Sequence, residues 1–189
     1  MRKATFPDKT RINESAYRLS RVYHRLAVAE VDELKRVARL LGPDPVAVIL
    51  GAGPGTATMA LLETRPDGTV TSIDLRVAWI EKHHAKNKGF LDRLTQIQAC
   101  SWEAAEDWTR PIDLLFVDAS HAYEAVKRAI AAWLPFVKDN GVAWFHDYGT
   151  EHGIWQYVKR AVDEEMKSQE QIVRVCCSIA FKIRKEPAK

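Results

Sequence analysis

The chain has 189 residues, 47% of them apolar and 28% charged, and a formal net charge of +3. That length suits one domain with a substantial core, and so small a charge does not by itself call for a nucleic-acid partner. No apolar run approaches a membrane span, the polar start over 1–10 lacks the apolar centre of a secretory signal, and Cys100, Cys176 and Cys177 form neither a disulfide framework nor a C-x-x-C metal site, so a cytosolic setting is expected.

Residues 1–13 read as a loose charged lead-in. From about 14 to 41, apolar residues fall at helical spacing (Leu19, Val22, Tyr23, Leu26, Leu34, Val37, Ala38, Leu41), and Gly42-Pro43-Asp44-Pro45 stops that helix. Strands and helices then alternate. Strand one is expected at about 46–50, a helix at 55–64, and strand two at 69–74 after the turn Pro66-Asp67-Gly68. A helix at 76–87, strand three at 94–99 and a short helical piece at 102–108 follow. Strand four is expected at 112–117. A long helix at 120–138, bent at Pro135, leads through the turn Asp139-Asn140-Gly141 into strand five at 142–145. A helix at 153–168 and a terminal hairpin, with strands near 171–176 and 178–184, complete the chain. Several strands are near-continuous apolar runs, as in a parallel sheet covered by helices on both faces. The expectation is one α/β domain over 42–189 with a helical extension over 1–41; Lys182-Ile183-Arg184-Lys185 reads as a solvated tail.

The loop Gly51-Ala52-Gly53-Pro54-Gly55-Thr56 between strand one and its helix is the most informative segment. A glycine turn at this place lets a ligand approach the backbone, and the helix N-terminus offers unpaired N–H groups to an anion. Asp74, at the tip of the next strand, has the chemistry to accept hydrogen bonds from ribose hydroxyls; as a bland alternative it caps the following helix. In a dinucleotide fingerprint the third glycine would fall on Thr56. Here it is Gly55, which makes a G-x-G-x-G loop, wider and better suited to an amino-acid carboxylate and a ribose than to a pyrophosphate.

The stretches 48–56 and 71–74, then 112–126 (with Asp118-Ala119-Ser120-His121) and 133–148 (with Phe145-His146-Asp147-Tyr148), resemble the class I S-adenosylmethionine-dependent methyltransferases. The last two stretches are similar to the small-molecule O-methyltransferase subgroup. The resemblance covers about 42–184. It implies a Rossmann-like seven-stranded sheet, mostly parallel, with an antiparallel last strand and helices on both faces. It also implies S-adenosylmethionine held by Gly51, Ala52, Gly53, Gly55, Thr56 and Asp74, with Leu75 as an apolar wall, Ser101 and Trp102 at the adenine, and Asp118 near the reacting methyl group. The family usually carries an acid two residues before the first loop glycine; here that position is Ile49.

Parallel α/β sheets bind ligands at the carboxyl ends of their strands, where Asp118 and His146-Asp147 fall. His121, one turn into the following helix, can lie beside Asp118 and has the pKa range of a general base. Asp118, His121 and His146 are the candidate catalytic residues. In metal-dependent relatives, acids at the ends of strands four and five hold magnesium. Asp118 and Asp147 match that arrangement, but His146 stands where relatives carry an acid and favours another divalent ion. The expected activity is methyl transfer to a small-molecule acceptor, at a hydroxyl. A non-catalytic binding module, suggested by Ile49, and a nicotinamide-dependent oxidoreductase, opposed by Thr56, are the alternatives. Neither a membrane nor a nucleic acid is expected as a partner, since no basic stripe with interleaved aromatics occurs. The N-terminal helix is expected to cap the substrate side, form a homodimer contact or add a stabilising layer.

Overall fold

The computed structural model describes residues 26–76, 79–149 and 155–185. The expected lead-in and the first half of the expected N-terminal helix fall outside them. The part of that helix that is described, α1 (Val28–Arg39), repeats Glu30, Leu34, Val37 and Ala38 at helical spacing and buries that face. The Glu30 carboxylate turns back to accept the N–H of Ala27 at 2.8 Å, which satisfies a donor at the helix start.

Seven strands form one sheet: β1 (Val46–Leu50), β2 (Thr69–Asp74), β3 (Leu94–Gln98), β4 (Ile112–Val117), β5 (Val137–Phe145), β6 (Glu170–Val175) and β7 (Ser178–Lys182). Their spatial order is β3-β2-β1-β4-β5-β7-β6. β1 to β5 pair in parallel, whereas β7 runs antiparallel to both β5 and β6, so it alone opposes the others. The connecting helices are α2 (Thr56–Thr64), α3 (Trp79–Asn87), α4 (Tyr123–Trp133) and α5 (Trp155–Met166). This is the expected doubly covered α/β sheet with its reversed last strand. Among the described residues no helix is long and apolar enough to cross a membrane.

Alternate residues of each central strand feed two cores. Val48, Leu50, Leu115, Val117, Ala143 and Phe145 pack beneath α4 and α5. Ala47, Ile49, Leu114, Phe116, Val142 and Trp144 pack beneath α1, α2 and α3. Ile49 is therefore a core residue whose side chain is committed to the α1–α2 layer.

Three expected elements differ. The segment 102–108 is a series of turns, closed by bonds such as Ala104 N–H to Cys100 O and Trp108 N–H to Ala105 O, with no continuous helix. The expected long helix ends at Trp133, and Leu134–Phe136 tightens into a 3-10 turn containing Pro135, which has no N–H for a further helical bond. β5 then starts at Val137, paired with Ile112, and the expected Asp139-Asn140-Gly141 turn becomes an irregularity inside that strand, with Asn140 at φ 64.

Candidate active site

Backbone ladder bonds carry the sheet past the strand ends and bring three loops together. Gly51 N–H bonds Ile73 O at 2.8 Å, Asp118 N–H bonds Leu50 O at 2.8 Å, and His146 N–H bonds Val117 O at 3.0 Å. Each loop is thus tied to the end of its neighbouring strand, and the glycine loop, Asp118 and His146 come to lie at one edge, as the strand-end argument expects.

Gly51, Gly53 and Gly55 all have positive φ, at 85, 50 and 86 degrees. A Cβ on Gly51 would meet the Asp118 carbonyl oxygen at 2.1 Å, so the loop packs directly on the β4 end. A Cβ on Gly53 would meet nothing within 4 Å, which leaves backbone exposed to a ligand. Gly55 rests on Glu81, a fully buried carboxylate of α3. Glu81 accepts hydrogen bonds from Thr58 of α2, from Ser72 of β2 at 2.8 Å and from Gln96 of β3 at 2.5 Å. It ties the loop's floor to three elements, α2, β2 and β3.

Asp74 closes the far side of the loop. Its Oδ2 accepts the Ala52 N–H at 3.1 Å and its Oδ1 the Arg76 N–H at 3.1 Å. Thr56 begins α2. Leu75 beside Asp74 is 67% exposed, so its side chain is available as an apolar wall. Ser101 and Trp102 follow β3 in the turn region. The Ser101 carbonyl accepts the Trp133 indole N–H at 2.5 Å, and the Trp102 ring lies under the Arg128 guanidinium at 4.4 Å.

The ionisable centre is built around His146, buried at the end of β5. Its Nδ1 stands 3.1 Å from Asp118 Oδ1 and 3.4 Å from Asp147 Oδ2. Its Nε2 stands 3.3 Å from Cys177 Sγ and 3.6 Å from Glu30 Oε2. Burial works against a charge on this ring. The contacts to Asp118, Asp147, Cys177 and Glu30 outweigh it and hold the imidazole pKa far above its usual value, which favours the charged ring. Burial raises the Asp118 carboxyl above the usual carboxylate range, with Asp147 adding to the effect and His146 opposing it. Asp147, in a left-handed conformation at φ 56, is pushed upward by burial, but His121 and His146 carry it well below the usual range. His121 Nε2 lies 2.7 Å from Asp147 Oδ2. The expected residues Asp118, His121, His146 and Asp147 thus form one constellation. Asp118, His121 and Asp147 each present a donor atom within 4.8 Å of the others.

Two members of the centre were not anticipated. Glu30 accepts from Ser178 Oγ at 2.7 Å and from the Cys177 thiol at 3.3 Å. Burial raises its pKa, but His146, the Ala27 N–H and Ser178 overcome that and hold it at about 2. The signal for Glu30 was in plain view: an acid in register with Leu34, Val37 and Ala38 on the apolar face of α1. Cys177 comes from the β6–β7 turn, and nothing local in the sequence links it to β5.

A methyltransferase-domain family model matches residues 48–148, from β1 through the end of β5. No curated protein sequence matches the chain. Among solved structures, a candidate caffeoyl-CoA O-methyltransferase from Staphylococcus aureus has a TM-score of 0.71 at 16% identity, covering 91% of either chain. A candidate O-methyltransferase from Klebsiella pneumoniae has a TM-score of 0.72 at 14% identity, over 86% of this chain and 83% of that one. A methyltransferase from Geobacter sulfurreducens has a TM-score of 0.69 at 16% identity, over 92% and 87%. Identities this low establish a shared fold and nothing finer. The family match spans more than half of the 189 residues and includes the glycine loop, Asp74, Asp118 and His146-Asp147: the chain belongs to the methyltransferase-domain family, as a class I S-adenosylmethionine-dependent methyltransferase.

Proposed function

We propose that the chain methylates a hydroxyl group of a small molecule held in front of Asp118, His121 and His146-Asp147. The observation that carries this reading is the His121–Asp147 pair, 2.7 Å apart, at the strand edge that also holds the glycine loop. The loop fits S-adenosylmethionine. It offers open backbone at Gly53, the Asp74 carboxylate for ribose hydroxyls and Leu75 as an apolar wall. When bound, the cofactor supplies a methyl group already activated on a sulfonium sulfur.

The protein's work is then alignment, exclusion of water and removal of one proton. His121, paired through Nε2 with Asp147 Oδ2, is the imidazole assigned to take the acceptor's hydroxyl proton, and Asp147 stabilises the imidazolium formed. Asp118 and Asp147, both beside His146 Nδ1, would hold acceptor and cofactor in place through fixed charges and hydrogen bonds.

A metal-assisted form of the same reaction is favoured by one observation: the Asp118, His121 and Asp147 donor atoms cluster within 4.8 Å. Two oxygens and a nitrogen would suit manganese, iron or zinc better than magnesium, and such an ion would lower the pKa of a bound hydroxyl.

The test is a thermal-unfolding series with S-adenosylmethionine, S-adenosylhomocysteine and NAD, followed by methyl-transfer assays on catechols, phenolic acids and sugars with and without chelator. Ligand at 100 times its dissociation constant should add about 2.7 kcal/mol to stability. Stabilisation by NAD alone overturns the reading, and activity unaffected by chelator removes the metal-assisted form.

A further inference from the structure

His146 has two faces, and the reaction described above uses only one. Its Nδ1 addresses Asp118 and Asp147, while its Nε2 points into a second group made of Glu30 from α1 and Cys177 from the β6–β7 turn. Glu30 and His146 are both about 1% exposed, and Cys177 is half-buried. We propose that Glu30, His146 and Cys177 form a binding site for a thiophilic divalent metal ion, zinc above all, separate from the Asp118–His121–Asp147 group.

The geometry carries the proposal. Cys177 Sγ lies 3.3 Å from His146 Nε2 and 3.3 Å from Glu30 Oε1, His146 Nε2 lies 3.6 Å from the other carboxylate oxygen, Glu30 Oε2, and one ligand atom from each residue lies within 4.8 Å of the others. Zinc bonds of about 2.0–2.3 Å at tetrahedral angles put the edges of a cysteine–histidine–carboxylate site at roughly 3.3–3.6 Å. The 3.6 Å separation is long for a hydrogen bond between two buried charged groups, but it is a normal spacing for two ligands of one ion.

The surroundings also match. Ligating histidines usually donate their other ring N–H to a carboxylate, and here Nδ1 is 3.1 Å from Asp118 Oδ1. The ligating carboxylate is itself oriented, by Ser178 Oγ at 2.7 Å and the Ala27 N–H at 2.8 Å. Cys177, the half-buried member, gives the ion its way in beside exposed Cys176. Binding displaces the Cys177 thiol proton and the His146 Nε2 proton, and both leave to solvent. The thiolate and carboxylate then balance the two charges of the ion. A soft thiolate with an imidazole selects zinc over magnesium or calcium.

Cobalt(II) is the probe, because a thiolate bound to it gives a charge-transfer absorption in the near ultraviolet and four-coordination gives intense visible bands. Titrated into the whole chain, cobalt should produce both at one equivalent, and zinc should bleach them. Cys177→Ser and Cys177→Ala should lose the charge-transfer band and weaken binding by more than the roughly 10–100-fold that loss of an outer-shell partner costs. Cys176→Ser and His121→Gln should keep the band. No band in the wild-type chain, a band that survives both Cys177 variants, or a band lost with Cys176→Ser overturns the proposal. The readout needs no methyl transfer, so it stands or falls independently of the proposed reaction.

Discussion

Gly51 and Asp118 touch through their backbones: a Cβ on the glycine would lie 2.1 Å from the aspartate's carbonyl oxygen. Neither atom sits on a side chain that can swing aside, and Gly51 is also at φ 85. Gly51→Ala should therefore force the β1 and β4 ends apart and cost about 3 kcal/mol or more in urea unfolding. Gly53→Ala is the informative contrast. It has open space and only the strain of φ 50, about 1 kcal/mol, so it should fold. Titration with S-adenosylmethionine should nevertheless show weakened binding, because the added methyl occupies the side where the cofactor approaches.

Stability of the metal-free protein should peak between about pH 4.5 and 6.5. Glu30 is depressed from 4.5 to about 2, so its contribution is complete above pH 4.5 and is lost as pH falls toward 2. That contribution is on the order of 3 kcal/mol. His146 is raised from 6.5, so its contribution is complete below pH 6.5 and declines as pH rises further. The decline is at most about 1.4 kcal/mol per pH unit. Urea unfolding across pH checks both flanks. Glu30→Gln should flatten the acid flank and His146→Gln the alkaline one; a wild-type stability unchanged from pH 6.5 to 9 would contradict a cationic His146.

His121→Ala should lower kcat by about 10²–10⁴-fold while leaving S-adenosylmethionine affinity within a few-fold, since the ring is assigned to the proton and not to the cofactor. Asp147→Asn keeps the shape but removes the charge that stabilises the imidazolium, so it should lower kcat in the same direction. Equal loss of cofactor affinity in the His121 variant would place the ring elsewhere.

Glu81→Gln replaces a buried acceptor of three hydrogen bonds with a group that must donate to one of them. A loss of about 1–3 kcal/mol in unfolding free energy is expected. Because Glu81 lies under Gly55, the same variant should also weaken S-adenosylmethionine binding, measured by calorimetry, whereas its kcat at saturating cofactor should stay close to wild type.

The strands were the most legible elements. β1, β2 and β4 stand where the sequence predicts them: β1 is an unbroken apolar run, β4 is one apart from Asp113, and β2 is set by its turn at Pro66-Asp67-Gly68 and its closing Asp74. The long helix to 138 was misread because the periodic residues of α4 run on into Leu134 and Val137, and tertiary pairing of Val137 with Ile112 outweighs that local period. Asp118, His121, His146 and Asp147 could be found because topology alone carries strand ends to one edge. Glu30 is marked in the sequence only as an acid on the apolar face of α1, and Cys177 is not marked at all, because their contact joins α1 to the last hairpin and sequence spacing says nothing of so distant a pairing. Glu81 hid for a simpler reason: on a helix rich in charged residues, nothing marks the one that faces inward.

The reversed direction of β7 has a last consequence. An antiparallel strand starts where its parallel neighbours finish, so pairing of Phe145 with Ile179 delivers the β6–β7 turn to the same edge as the glycine loop. The hairpin's alignment against β5 therefore works as a gauge for the site. A slip of one residue would turn every β7 side chain to the opposite face, swinging Ser178 away from Glu30 while leaving the sheet fully paired. Inserting or deleting a single residue in that turn should leave a folded protein whose buried glutamate has lost its alignment, a defect visible in acid stability long before it is visible in overall shape.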